Sequence, residues 1–274
     1  MKIDAHQHFW KCQKQGFEWI TDSMSAIQRD FLPADLAPHL QQNKIDGCVT
    51  VQVAQSETEN EFLLGLAEES PFIKGVVGWV DFKSEKIIDH LTQLSRHKKL
   101  KGFRHIVQGE ADGFLLHPDF IRGIQALKHF PFTYDILVYS RQLPDVINFL
   151  PAVAEQPLVI DHLAKPSIKT NDLKDWSRLI KEVARFENVY CKLSGMVTEA
   201  DWNNWSQEDF LPYLDVALEC FGSKRLMYGS DWPVCQVAAT YYEQRSIVTN
   251  FIASLSTSEK DLIEGGNAVR FYNL

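Results

Sequence analysis

KIDAHQH (2–8) opens the chain and KRLMYGSD (224–231) lies near its end. Each is a short apolar run that finishes on side chains capable of chemistry. Residues two apart on a strand share a face, so His6 and His8 point the same way. Six further runs of this kind lie between them: DGCVTVQVA (46–54), IKGVVGWVD (73–81), LKGFRHIV (100–107), FTYDILV (132–138), PLVIDHL (157–163) and NVYCKLS (188–194). Helical patterns separate them. Ser56 and Glu59 form a capping-box pair ahead of Phe62, Leu63, Leu66 and Ala67. Ile87, Ile88, Leu91 and Leu94 share one helical face, as do Leu173, Trp176, Leu179, Ile180 and Val183. EDFLPYLDVALECF (208–221), YYEQRSIVTNFI (241–252) and EGGNAVRFYNL (264–274) follow.

Strands alternating with helices imply parallel βα units. Such a chain folds as an open, doubly wound sheet or closes into a barrel, and a count of eight favours the barrel. The polar residues agree. His6, His8, Gln52, Asp81, Arg104, His105, Asp135, His162, Lys192, Ser194 and Asp231 all stand near the C-terminal ends of their strands. A (β/α)8 TIM barrel gathers those ends into one pocket, whereas an open sheet spreads them along a line. The 274 residues suit one such barrel, so a single domain over 1–274 is expected.

Composition narrows the function. A net charge of −8 gives no electrostatic support to a nucleic-acid partner. No run approaches the length of a membrane span, and charges and histidines interrupt the N-terminus where a signal peptide would be apolar. Five cysteines, an odd number with no CxxC pair, suit reduced thiols in a cytoplasmic enzyme. GxSxG, HExxH, GxGxxG and P-loop patterns are missing, which disfavours serine hydrolases, zincins, dinucleotide enzymes and NTPases.

The candidate site follows from the strand ends. Two imidazoles on one strand face can ligate one metal ion or hold one substrate group. Asp231 in MYGSDWP reads by itself as a turn or cap residue before Pro233. Beside His6 and His8 it reads as a site carboxylate, because closure puts the first and last strands together. His162 ends the sixth strand as a ligand or a carbonyl-polarising group. Asp161 is expected on the opposite face, so that only one of the two looks inward. Arg104, with His105, offers a fork for a carboxylate or paired hydroxyls. Lys165 offers an anion contact. Trp10, Trp79, Trp232, Trp202 and Trp205 offer stacking surfaces for a sugar ring.

DAHQHFW (4–10), LKGFRHIVQG (100–109), VIDHLAKP (159–166), YCKLSGMVTEADW (190–202), MYGSDWPV (227–234) and GGNAVRFYNL (265–274) resemble the amidohydrolase superfamily. More narrowly, they resemble its sugar-acid lactonase branch, which includes L-fuconolactonase-like and L-rhamnonolactonase-like hydrolases. The resemblance runs from residue 2 to the C-terminus. HxH with Asp marks only the superfamily, while KLSGMVTEADW and GSDWPV are specific to the branch. The resemblance implies a barrel of the metal-dependent hydrolase type that opens an L-fuconolactone-like aldonolactone in carbohydrate metabolism. It carries over His6, His8, His162 and Asp231 as the core and metal site, with Asp231 the general base and His162 its catalytic partner. Arg104, His105, Trp79, Lys165 and Trp232 are the expected substrate contacts.

Two departures bear on the metal. Dinuclear members carry a bridging Lys or Glu on strand four, where this chain has Arg104-His105. Many members carry a ligating His on strand five, where it has Tyr134-Asp135. One divalent ion at most is therefore expected, zinc first, and the branch also resembles enzymes that work without metal. The expected partner is a small sugar lactone, with oligomeric state left open. Two rivals remain: a metal-dependent decarboxylase of the same superfamily, and a non-catalytic sugar-acid-binding barrel.

Overall fold

The computed structural model describes residues 1–12 and 19–274. All eight expected strands form: β1 (Ile3–Gln7), β2 (Gly47–Val51), β3 (Ile73–Gly78), β4 (Leu100–His105), β5 (Thr133–Ile136), β6 (Leu158–Ile160), β7 (Val189–Leu193) and β8 (Leu226–Tyr228). They pair in sequence order, and every ladder is parallel. The sheet closes between β8 and β1 through a bridge of Gln7 with Trp232. Asp231 N–H donates to the His6 carbonyl at 2.8 Å, and His8 N–H to the Trp232 carbonyl at 2.7 Å. The Asp4 carboxylate reinforces this seam, accepting from Ser230 N–H at 2.8 Å and the Tyr241 hydroxyl at 2.9 Å.

Helices α1 (Pro33–Gln42), α2 (Glu57–Glu69), α3 (Ile87–Leu94), α4 (Pro118–Ala126), α5 (Leu143–Phe149), α6 (Leu173–Ala184), α7 (Gln207–Phe221) and α8 (Tyr241–Phe251) follow the strands around the outside. The main apolar core lies between strands and helices, where Leu63, Leu91, Trp176, Ile180 and Val183 are buried as their helical spacing predicts. A smaller cluster joins Ile3, Ala5, Val49, Val51, Val77, Val159 and Met227 to Phe271 and Tyr272. Those last two come from α10 (Asn267–Tyr272), which follows α9 (Thr257–Asp261) and plugs the N-terminal end of the barrel.

Two local expectations need correction. Ser56 does cap α2, its hydroxyl accepting from Glu59 N–H at 3.3 Å. The Glu59 carboxylate, however, reaches past Ser56 to Val53 N–H at 2.6 Å and Ala54 N–H at 2.8 Å, tying the helix to the end of β2. The sixth strand is shorter than its apolar run. It stops at Ile160, and His162, Leu163, Ala164 and Lys165 all adopt left-handed φ values of 47–58°. Strand alternation ends there. Asp161 and His162 consequently both turn into the barrel, contrary to the one-in, one-out expectation. No helix among the described residues is long and apolar enough to cross a membrane.

Candidate active site

The C-terminal strand ends surround a cavity of about 490 Å³, with His8, Arg104, His162 and Asp231 in its wall. His6 lies fully buried against them. His6 Nε2 and His8 Nε2 are 3.2 Å apart, and His8 Nε2 is 3.3 Å from Asp231 Oδ1. Asp231 Oδ1 also lies 3.9 Å from His6 Nε2 and 3.8 Å from His162 Nε2. Four groups named from sequence thus converge on one small volume.

Local structure aims each of them. His8 Nδ1 meets the Val51 carbonyl at 2.7 Å, so its proton sits there and Nε2 faces the cavity with a free lone pair. His162 Nδ1 meets Ser194 Oγ at 2.8 Å. Gly195 lies directly behind that ring with φ +62°, and a Cβ there would stand 2.5 Å from His162 Nδ1. Asp231 has φ +56°, as His162 has φ +54°. Left-handed backbone at non-glycine residues costs energy, and it occurs here at both rim groups.

Burial governs the charges. It pushes the His6 imidazole well below its ordinary range, lowers His8, and takes His162 down to about 4. All three are neutral at neutral pH. Burial alone would raise the Asp231 carboxyl, but His162, His8 and His6 outweigh it and hold it well below the usual carboxylate range. The floor is therefore one carboxylate among three neutral imidazoles.

That donor set fits a divalent ion. Two ligand atoms at about 2.0–2.1 Å from a tetrahedral ion lie roughly 3.3–3.4 Å apart. The separations of 3.2 and 3.3 Å among His6, His8 and Asp231 match this, and the third is 3.9 Å. The same three residues form one of two candidate ligand groups among the described residues; the other is His6, Asp161 and His162.

The expected substrate contacts divide. Arg104 and Lys165 line the cavity. Arg104 is nevertheless committed to the protein: Nη1 donates to Asp161 Oδ2 at 3.1 Å, and Nη2 to the carbonyl and side-chain oxygens of Gln52. Lys165 pairs with Glu199 at 3.4 Å and lies over the Tyr139 ring. His105, Trp79 and Trp232 are not in the cavity wall. His105 follows Arg104 on β4 and so faces the helices, where it bonds Glu110 at 2.8 Å and Trp79 Nε1 at 3.3 Å. Trp232 is fully buried between Phe9 and Phe31. Trp10 is buried against Phe31, and Trp205 likewise packs away from the cavity, while Trp202 faces it. Asp81 is exposed outside the site.

Several wall residues escaped the sequence reading. Trp19 and Met24 come from the loop after β1, Gln108 from that after β4, Tyr139 from that after β5, and Glu199 from that after β7. Their shared signal is position, since loops after strands form the mouth of such a barrel. Beneath the floor lies an ion network that no local pattern signals. Lys192 Nζ meets Asp135 Oδ2 at 2.5 Å, Asp161 Oδ1 at 3.0 Å and His6 Nδ1 at 3.1 Å, all fully buried.

Comparison with known proteins agrees with this geometry. The chain is 40% identical over 286 residues to an L-fucono-1,5-lactonase of Burkholderia multivorans, covering 100% of this chain and 96% of that one. It is 34% identical to an L-fucono-1,5-lactonase of Burkholderia ambifaria, with the same coverage of 100% and 96%. A crystal structure of an amidohydrolase from B. multivorans with bound zinc superposes with a TM-score of 0.97 at 40% identity, covering 100% of this chain and 99% of that one. The amidohydrolase family model matches residues 3–274. With its eight-stranded barrel and its cluster of histidines and one aspartate at the strand ends, the chain belongs to the amidohydrolase family.

Proposed function

We propose that this protein is a lactonase that hydrolyses a sugar lactone, an L-fucono-1,5-lactone-like aldonolactone, to the open sugar acid. The observation that carries the reading is the convergence of the Asp231 carboxylate with His6, His8 and His162 at a cavity of about 490 Å³. That volume suits one sugar ring rather than a polymer. The full-length similarity to two L-fucono-1,5-lactonases supports the substrate class.

Asp231 accepts a proton from water as the water oxygen attacks the lactone carbonyl carbon. Its depressed pKa keeps it ionised at any working pH. The resulting weakness as a base is tolerable because a lactone is an activated ester. His162, with His6 beside it, stabilises the developing oxyanion. Collapse breaks the ring C–O bond, and the proton held on Asp231 goes to the departing ring oxygen. His6, His8 and Asp231, with His162 within reach, would hold one zinc ion, which when bound supplies Lewis acidity at the carbonyl oxygen. Trp202 and Lys165 border the sugar, and Arg104 supports the floor from the side through Asp161. One domain spans residues 1–274, and the protein works in the cytoplasm on a small molecule, without nucleic acid or membrane.

A panel of L- and D-aldono-1,4- and 1,5-lactones, read by proton release, tests this. We expect L-fucono-1,5-lactone or a close relative to reach a kcat/KM of at least roughly 10⁴ M⁻¹s⁻¹, the lower end for enzymes. The reading falls if no lactone opens above the spontaneous rate. CO₂ release from an unsaturated carboxylic acid would install the decarboxylase instead, although Asp135, the inward group of β5, is occupied by Lys192 and Tyr272.

A further inference from the structure

Above the floor, two charged side chains stand in the cavity wall: Lys165, after β6, and Glu199, after β7. The left-handed run that turns His162 inward ends on Lys165, at φ +47°. Its Nζ lies 3.4 Å from Glu199 Oε1 and over the Tyr139 ring. That separation exceeds the roughly 2.7–2.9 Å of a charge-assisted hydrogen bond. Among the described residues Lys165 Nζ donates no hydrogen bond, and the Glu199 carboxylate accepts one, from Thr198 Oγ1 at 3.4 Å. An ammonium only donates and a carboxylate only accepts, so unspent donors and unspent acceptors sit side by side at the mouth.

Beyond Asp231 the wall is of another kind. Trp19 and Met24 after β1, Val53 after β2 and Val234 after β8 are all apolar. A six-membered sugar lactone has the same two sides. With its carbonyl carbon on the floor, C2 and C3 carry their hydroxyls to one side, and the ring oxygen and C5 lie to the other. In the reaction above the ring oxygen takes its proton from Asp231. That turns C5 toward the apolar wall, and C2 and C3 toward the loops after β6 and β7.

We propose that Lys165 and Glu199 set the specificity of the site by binding two neighbouring hydroxyls of the lactone ring, those on C2 and C3. The ammonium donates to one oxygen, and the carboxylate accepts a hydrogen bond from the other. The pair carries no net charge, so it selects a neutral diol over an anion. The C5 substituent meets Val234, Met24 and Trp19, which suit a methyl group better than a hydroxymethyl group. The effect on turnover rests on the lactonase reading; the binding of the diol does not.

Two probes separate the diol subsite from the chemistry. 1,5-Anhydro-L-fucitol carries the ring hydroxyls and the methyl group without a carbonyl, and calorimetry reads its binding. We expect wild type to bind it, and Lys165→Met and Glu199→Gln each to weaken that binding at least tenfold. δ-Valerolactone carries the carbonyl without hydroxyls. In both variants kcat/KM for L-fucono-1,5-lactone should fall at least tenfold, mainly through KM, while that for δ-valerolactone stays within twofold. L-galactono-1,5-lactone, which differs from it by one hydroxyl on C6, should be several-fold poorer with wild type. Equal losses on L-fucono-1,5-lactone and δ-valerolactone would make the pair a support for His162 and overturn the proposal. Faster turnover of a lactone bearing a second carboxylate would do the same, because Lys165 would then leave Glu199 for an anion. A wild type that opens no lactone but binds the anhydro sugar through both residues sinks the lactonase reading alone. A wild type that does not bind the anhydro sugar sinks this one.

Discussion

The proposed reaction centre depends on one carboxylate in an unusual backbone state. Asp231 has φ +56°, a region that Asp and Asn enter far more readily than other side chains. Asp231→Asn therefore keeps the turn and removes only the proposed base. We expect kcat to fall by roughly two or more orders of magnitude, the usual scale for general acid–base catalysis, with unchanged thermal unfolding. Near-wild-type turnover would end the assignment. Arg104 shows how residue identity misleads without context. An arginine at a strand end reads as a substrate fork, but both of its terminal nitrogens are spent on Asp161 and Gln52. Trp79 and Trp232 lie near the rim and read as stacking surfaces, but Trp79 Nε1 donates to His105 and Trp232 is buried between Phe9 and Phe31.

At the scale of elements, the ends of strands and the turns after them set the geometry. His162 is seated between Ser194 and Gly195, which follow β7. Gly195→Ala would add a Cβ 2.5 Å from His162 Nδ1 at a φ of +62°. We expect about 1 kcal/mol or more of destabilisation from the backbone. We also expect at least a tenfold loss of kcat, because the imidazole must move. Wild-type turnover in that variant would mean that His162 needs no fixed seat. The β2–α2 junction makes a different prediction. Burial lifts the Glu59 carboxyl from 4.5 to about 7, against the pull of the Val53 and Ala54 N–H groups. A carboxyl that holds its proton more tightly when folded contributes less stability as pH rises between those two values. The Tm advantage of wild type over Glu59→Gln should therefore shrink from pH 4.5 to pH 7. A difference independent of pH would show that the two N–H bonds outweigh burial.

The whole molecule decides what the cluster can hold. Closure of β8 onto β1 brings Asp231 beside His6 and His8, residues more than 220 positions away in sequence. Lys192 and Arg104 then occupy the space beneath and beside His6, two fixed positive groups at 3.1 and 3.3 Å from its nitrogens. Like charge repels strongly in such a buried place. Elemental analysis after zinc loading and gel filtration should accordingly give one ion per chain or fewer. Two per chain would mean that the second donor group, His6, Asp161 and His162, also binds.

The amino-acid sequence by itself determined the barrel. Strand and helix periodicities are local, eight of the units leave one economical closure, and strand ends meet at one face of it. It also determined which four groups would meet, because the HxH pair at the end of β1, His162 after β6 and Asp231 after β8 sit where that closure brings side chains together. Only the tertiary structure decided which neighbours serve the site. Side-chain direction at a strand end depends on where the strand stops, and β6 stops at Ile160, turning Asp161 inward with His162. Whether an arginine or lysine meets a substrate or a carboxylate depends on partners from other strands. Lys192 looks like any polar residue on its strand; Asp135, Asp161, His6 and Tyr272, each from a different part of the chain, make it a buried support for the site.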